Sequence, residues 1–189
     1  MYDALTHIYS RRYFVDRLEA ELQFAARHEA PLALVLLDLD HLKDINDSFG
    51  HSAGDRVLAT LAAAVQTHVR AEDLFGRIGG DEFAVLCRGT PLAVASGFAE
   101  RVRALVEALE IDVGPKMATI TVSIGVSAFP DLRCDLPHEL VNAADRALYV
   151  AKAHGRNRVA VQPAECEDTR TFDTTRPLVR RASSDGAGD

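Results

Sequence analysis

Apolar positions along this chain change their spacing from segment to segment, and the changes mark out its elements. Phe14, Leu18, Leu22 and Ala25 recur at intervals of four and three residues behind Ser10, a residue suited to an N-cap. That spacing predicts an amphipathic helix over residues 11–28, closed off by Pro31. Residues 32–40, LALVLLDLD, read instead as a strand apolar on both faces, with Asp38 and Asp40 projecting from one side of its end. Two carboxylates at a buried strand end are unfavourable unless something cationic compensates them. A short helix is expected over 41–47, a connection over 48–54, and a longer helix over 55–69 with an alanine-rich packing face. A hairpin follows, from 74–77 through a Gly79-Gly80 turn to 83–87. Thr90 before Pro91 reads as the start of a helix whose apolar spacing runs to Leu109. Residues 118–129 are the most β-branched of the chain and predict a central strand. A helix over 137–155, ended by Gly155, and a short strand over 158–162 complete the pattern.

After Pro163 the periodicity disappears and the composition turns small and polar. Residues 1–162 therefore read as one domain and 163–189 as a loose tail or linker. The order of elements describes an α/β protein of the α+β kind: a mixed five-stranded central sheet, a hairpin in its middle, and helices packed against it. Of 189 residues, 48% are hydrophobic, enough for a proper core. The longest apolar run, 32–37, is too short to cross a bilayer, and the N-terminus has no export pattern, so the expectation is a cytoplasmic segment without membrane contact. A net charge of -7 argues against binding nucleic-acid polymer, which a basic surface would drive. Cys87, Cys134 and Cys166 have neither the number nor the spacing of a disulfide framework or a thiolate zinc site.

The stretch RIGGDEFAVL, residues 77–86, carries the candidate chemistry. Gly79 and Gly80 can take the positive φ of a tight turn, and Asp81 tolerates a turn position. Glu82 has no part in that explanation. With Asp38 and Asp40 at a neighbouring strand end, the two acidic spots can converge.

Four segments in order, the intact Gly79-Gly80-Asp81-Glu82-Phe83 signature with LLDLDHLKDINDSFGHSAGD (36–55), TVSIGV (121–126) and ADRALYVAKAHGRNR (144–158), resemble the GGDEF-domain diguanylate cyclases over residues 3–160. The resemblance implies a nucleotidyl-cyclase, polymerase-palm-like fold and condensation of two GTP into cyclic di-GMP with release of two pyrophosphates. It implies two divalent ions per site, Mg2+ or alternatively Mn2+, held by Asp38, Asp81 and the backbone carbonyl of Leu39. Glu82 is a further ligand or the acceptor of the 3′-hydroxyl proton. Asn46 and Asp55 match the guanine readers, since an amide and a carboxylate complement that base's donor edge. Lys43, Lys152 and Arg156 match positions that hold the triphosphate, and Lys43 joins Asp81 and Glu82 as a catalytic group. The backbone N–H groups of His41 and Leu42 would add an anion site, while Gly79 and Gly80 let the backbone approach a phosphate. Arg70 and Asp73 match an R-x-x-D inhibitory site for the product, with Arg101 a second contact from a neighbouring subunit.

Plainer explanations stand beside these. Asp40 reads as a cap for the following helix, Asp55 as an acid favoured at a helix N-terminus, Arg70 as a cation at a helix C-terminus, and His7 and His51 as loop or packing residues. His7, Ser10 and Leu42 depart from the family pattern of glycine, asparagine and an aromatic, which bears on local packing. Each domain would hold one GTP, so turnover needs a homodimer. The chain starts almost at the first motif, so a weak, transient dimer is expected and the sequence reads as a piece of a longer signalling protein, membrane-associated or not. The alternative from another class is a catalytically silent module that binds GTP or cyclic di-GMP as a receptor.

Overall fold

The computed structural model describes residues 1–114, 116–131 and 137–162; the segment 163–189 and Cys134 lie outside them. After a two-residue strand β1 (Tyr9–Ser10) come α1 (Arg11–His28), β2 (Leu32–Leu39), α2 (Leu42–Phe49) and α3 (His51–Gln66). The hairpin β3 (Leu74–Arg77) and β4 (Glu82–Arg88) follows, then α4 (Leu92–Glu107). β5 (Glu110–Asp112) and β6 (Met117–Thr119) form a small ribbon, and β7 (Val122–Phe129), α5 (Pro137–Ala153) and β8 (Val159–Val161) close the domain.

The main sheet has six strands in the order β1-β3-β4-β2-β7-β8, with β1–β3 and β7–β8 parallel and the inner pairs antiparallel. The expected five strands are all in it; the sixth, β1, is too short to show in a periodicity. β2 lies between β4 and β7 with all eight residues buried, which is what its continuous apolar run requires. Alternation sorts its side chains into two cores. Ala33, Val35, Leu37 and Leu39 pack with α3 and α4, and Leu32, Leu34 and Leu36 with α1 and α5.

Some boundaries differ from the sequence reading. Helix α3 begins at His51, not Asp55, because Gly50 alone, at φ 82, turns the chain from the end of α2 into α3. Residues 118–129 do not form one strand: β6 pairs with β5 in the ribbon, and the chain breaks at Ile120 and Thr121 before β7 enters the main sheet. Ser10 occupies the N-cap position of α1 but makes no side-chain cap bond. His7, where the family favours glycine, sits at φ 59.

One close approach fixes the depth of α5 on the sheet. A Cβ on Gly125 of β7 would lie 2.2 Å from the Ala144 carbonyl oxygen and 2.4 Å from the Leu148 nitrogen, both backbone atoms of α5. Only glycine lets this helix lie so near the strand.

Candidate active site

The alternation that sorts the core also aims the carboxylates. Asp38 follows Leu32, Leu34 and Leu36 on the α1/α5 side of β2, and Glu82 precedes Ala84 and Leu86 on the same side of β4. The register sets Asp38 directly opposite Glu82. The hairpin turn adds Asp81, whose carbonyl accepts the Leu39 N–H at 3.0 Å. Carboxylate oxygens of Asp38, Asp81 and Glu82 all lie within 4.8 Å of one another.

Like charges facing each other across a strand pair repel. Burial, first, and then the charges of Asp38 and Asp81 push the Glu82 carboxyl up to about 7. Burial likewise raises Asp38 to about 6, against the opposing pull of the Lys152 ammonium, whose Nζ stands 2.7 Å from Oδ2. Three converging carboxylates that offer only oxygen donors are a donor set for a hard divalent cation.

A cavity of about 810 Å³ opens beside this cluster. Leu42, Lys43, Asn46, Gly79, Gly80, Asp81 and Glu82 line it, as the sequence reading grouped them. Neither glycine has a left-handed φ, so the positive-φ explanation of the turn is corrected. A Cβ at Gly79 would come 2.1 Å from Glu82 Oε2, so a side chain there would turn that carboxylate out of its present place; the glycine makes room for the protein's own carboxylate. Gly80 is exposed, with nothing within 4 Å of where a Cβ would sit.

Five lining residues were not foreseen as part of the site: Arg11, Asp47, His51, Leu58 and Arg77. Arg77 braces the turn, donating to the Gly80 carbonyl at 2.7 Å and pairing with Asp3 at 3.3 Å. The signal available in the sequence was its place two residues before the glycines. His51 is the first residue of α3, not part of a connecting loop.

Asp55, Arg156 and His41 are not among the lining residues. Asp55 is exposed beyond the first turn of α3, so the helix-terminal explanation for it falls. Arg156 is exposed in a left-handed turn after α5, and His41, at φ 60, directly precedes α2. Asp40 does not cap α2, which has no side-chain cap bond. Its carboxylate is buried and accepts from Thr121 Oγ1 (2.8 Å), Ser123 Oγ (2.7 Å) and the Asn157 N–H (3.1 Å). Among the described residues no cation pairs with it; three neutral donors do.

The R-x-x-D segment sits at the far end of the hairpin. Asp73 Oδ1 accepts the Arg88 N–H at 2.9 Å, Arg70 is exposed, and burial raises the Asp73 carboxyl above its ordinary value. Arg101 is exposed on α4, its guanidinium 6.0 Å from the centre of the Phe98 ring. Among the described residues no helix is long and apolar enough to cross a membrane.

Comparison with known proteins agrees with this geometry. The family model for the diguanylate cyclase GGDEF domain matches residues 1–158. The response regulator PleD of Caulobacter vibrioides is 42% identical over 164 residues, 86% of this chain and 36% of that protein. The probable diguanylate cyclase DgcT of Escherichia coli is 38% identical over 163 residues, 85% of this chain and 35% of the relative. The chain thus spans about a third of the length of these relatives. Among solved structures, the GGDEF domain of DgcB from Caulobacter crescentus in complex with c-di-GMP superposes with a TM-score of 0.80 at 30% identity, covering 85% of this chain and 94% of that one. The GGDEF domain of PA1120 from Pseudomonas aeruginosa gives 0.79 at 35%, covering 87% and 95%. With its signature intact and its fold shared, this chain belongs to the diguanylate cyclase family as a GGDEF domain.

Proposed function

We propose that this domain condenses two GTP molecules into cyclic di-GMP, two copies facing each other with one GTP apiece. The observation that carries the reading is the convergence within 4.8 Å of Asp38 with Asp81 and Glu82, two residues that line a nucleotide-sized cavity. In each half-reaction the 3′-oxygen of one GTP bonds to the α-phosphorus of the other, the bond to the β-phosphate oxygen breaks, and pyrophosphate leaves. Two divalent ions, Mg2+ or Mn2+, held by Asp38, Asp81, Glu82 and the Leu39 carbonyl, would supply activation of the hydroxyl and neutralisation of the phosphates.

The chain's own groups do the rest. Lys43 presents its ammonium to the phosphates from the cavity wall, and Lys152 and Arg156 do so from the end of α5. Asn46 reads guanine from α2, and Asp55 joins it from α3. Gly80 leaves the turn open to a phosphate. Glu82, at about 7, ionises in the working pH range, which serves a ligand and also a group that accepts the 3′-hydroxyl proton. Arg70 and Asp73, with Arg101 of a second copy, bind the product as a feedback site. The solved DgcB domain was captured with that dinucleotide, which supports the ligand class.

The test is product formation from GTP and Mg2+ across a range of protein concentrations. Cyclic di-GMP is expected, with a rate per chain that rises with concentration. Asp81→Ala should lower turnover by at least about 100-fold with the far-UV spectrum unchanged; undiminished turnover removes Asp81 from the metal site. No product, with GTP or cyclic di-GMP still bound, makes the domain a receptor.

A further inference from the structure

The turn that follows α5 is held more tightly than ending a helix requires. Gly155, Arg156 and Asn157 lie at φ 110, 61 and 45, three left-handed residues in a row, two of them carrying a Cβ. Such backbone persists only where its surroundings over-determine it. Here the surroundings are three bonds to one residue. The Asn157 N–H donates to Asp40 at 3.1 Å, its Oδ1 accepts from Arg103 Nη1 at 2.9 Å, and its Nδ2 donates to Glu107 Oε1 at 2.8 Å. Arg103 is itself fixed by Glu100 and Glu107, both at 2.7 Å, and Asp40 by Thr121 and Ser123. Asn157 thus ties the end of α5, which packs on one face of the sheet, to α4 on the other.

The same turn carries the cations. Lys152 stands in the last turn of α5 with its ammonium on Asp38, and Arg156 directly precedes Asn157. A shift at Asn157 redirects Arg156 first and the end of α5 next. We propose that Asn157 is a positioning residue: clamped between α4 and Asp40, it sets the direction in which Arg156 and Lys152 present their charges to the phosphate chain. The inference rests on the reading of the site as a GTP site, and it makes α4 part of the phosphate grip without touching substrate.

The test uses the full chain with Mg2+ and two probes, the non-hydrolysable analogue α,β-methylene GTP and guanosine, which has no phosphate. Asn157→Gly keeps the left-handed backbone and the N–H to Asp40 while removing both side-chain bonds to α4. Its affinity for the analogue is expected to fall about tenfold, as misplaced charges lose their alignment, with guanosine affinity unchanged. Arg103→Met, which leaves Asn157 in place and removes one of its anchors, should weaken the analogue in the same selective way, and it decides the matter if Asn157→Gly does not fold. Equal analogue affinity in a folded variant, or equal losses for both probes, overturns the inference while the site stands. If the unaltered chain binds neither probe, the GTP reading falls and this inference with it.

Discussion

Asp40 is a buried carboxylate that, among the described residues, is satisfied by neutral donors. Two hydroxyls and one backbone N–H point at its oxygens, and each would be stranded if the carboxylate were lost. Asp40→Ala is therefore expected to lower unfolding free energy by about 2–4 kcal/mol, read as a lower urea midpoint; a loss under about 1 kcal/mol would mean that water takes over the carboxylate's role. The spacing of Asp38 and Asp40 presents them as equivalent, and nothing near them in sequence separates their tasks. Thr121, Ser123 and Asn157 lie 81, 83 and 117 positions away, so Asp40's partners become visible only in three dimensions. Asp38, Asp81 and Glu82 were legible because alternation along β2 and β4 and the signature itself point to the same end of the sheet. The reason for Gly79 was not legible, since it depends on where the Glu82 side chain folds back.

The elements with strong periodicity, α1, β2, α4 and α5, sit within a few residues of where their apolar spacing places them. Misplaced edges occur where one residue does the turning. Gly50 joins α2 to α3 with no loop at all, and the break at Ile120 and Thr121 is set by pairing partners, β5 for one half and β2 for the other. The hairpin β3–β4 bears on the proposed feedback site. Its strand β4 runs seven residues from Glu82 to Arg88, whose N–H holds Asp73, so the R-x-x-D segment and the carboxylate cluster stand roughly 20 Å apart at 3.3 Å per residue. A product molecule at Arg70 cannot reach the cluster and would have to act by immobilising the domain or its hairpin. Arg70→Ala is expected to raise the inhibitory concentration of cyclic di-GMP at least about tenfold, the scale of one charge-assisted bond pair, while the initial rate without product stays unchanged. The same inhibition curve as the unaltered chain would make RAED an ordinary solvated loop.

For the molecule as a whole, the carboxylate cluster contributes to how stability follows pH. Asp38 rises from 3.8 to about 6 and Glu82 from 4.5 to about 7, so between these values the folded state binds more protons than the unfolded one. Their contribution is complete below the unfolded values and is lost as pH rises through about 6 and 7. A divalent ion held by these carboxylates would reverse the effect, since it needs the deprotonated ligands. Mg2+ is thus expected to raise the melting temperature more at pH 8 than at pH 5, and Glu82→Gln to shrink that difference, as thermal shift measurements would show. An equal Mg2+ effect at both pH values would remove this pair from the metal site. The layered sheet and its helices were legible from pattern alone; the clearance between layers was not. At Gly125 that clearance is so small that any side chain would lift α5 from β7 and carry Lys152 away from Asp38. A descendant with that one change would still spell every letter of its signature. A count of that signature alone would pass it as intact, although the TVSIGV segment that holds Gly125 would no longer match.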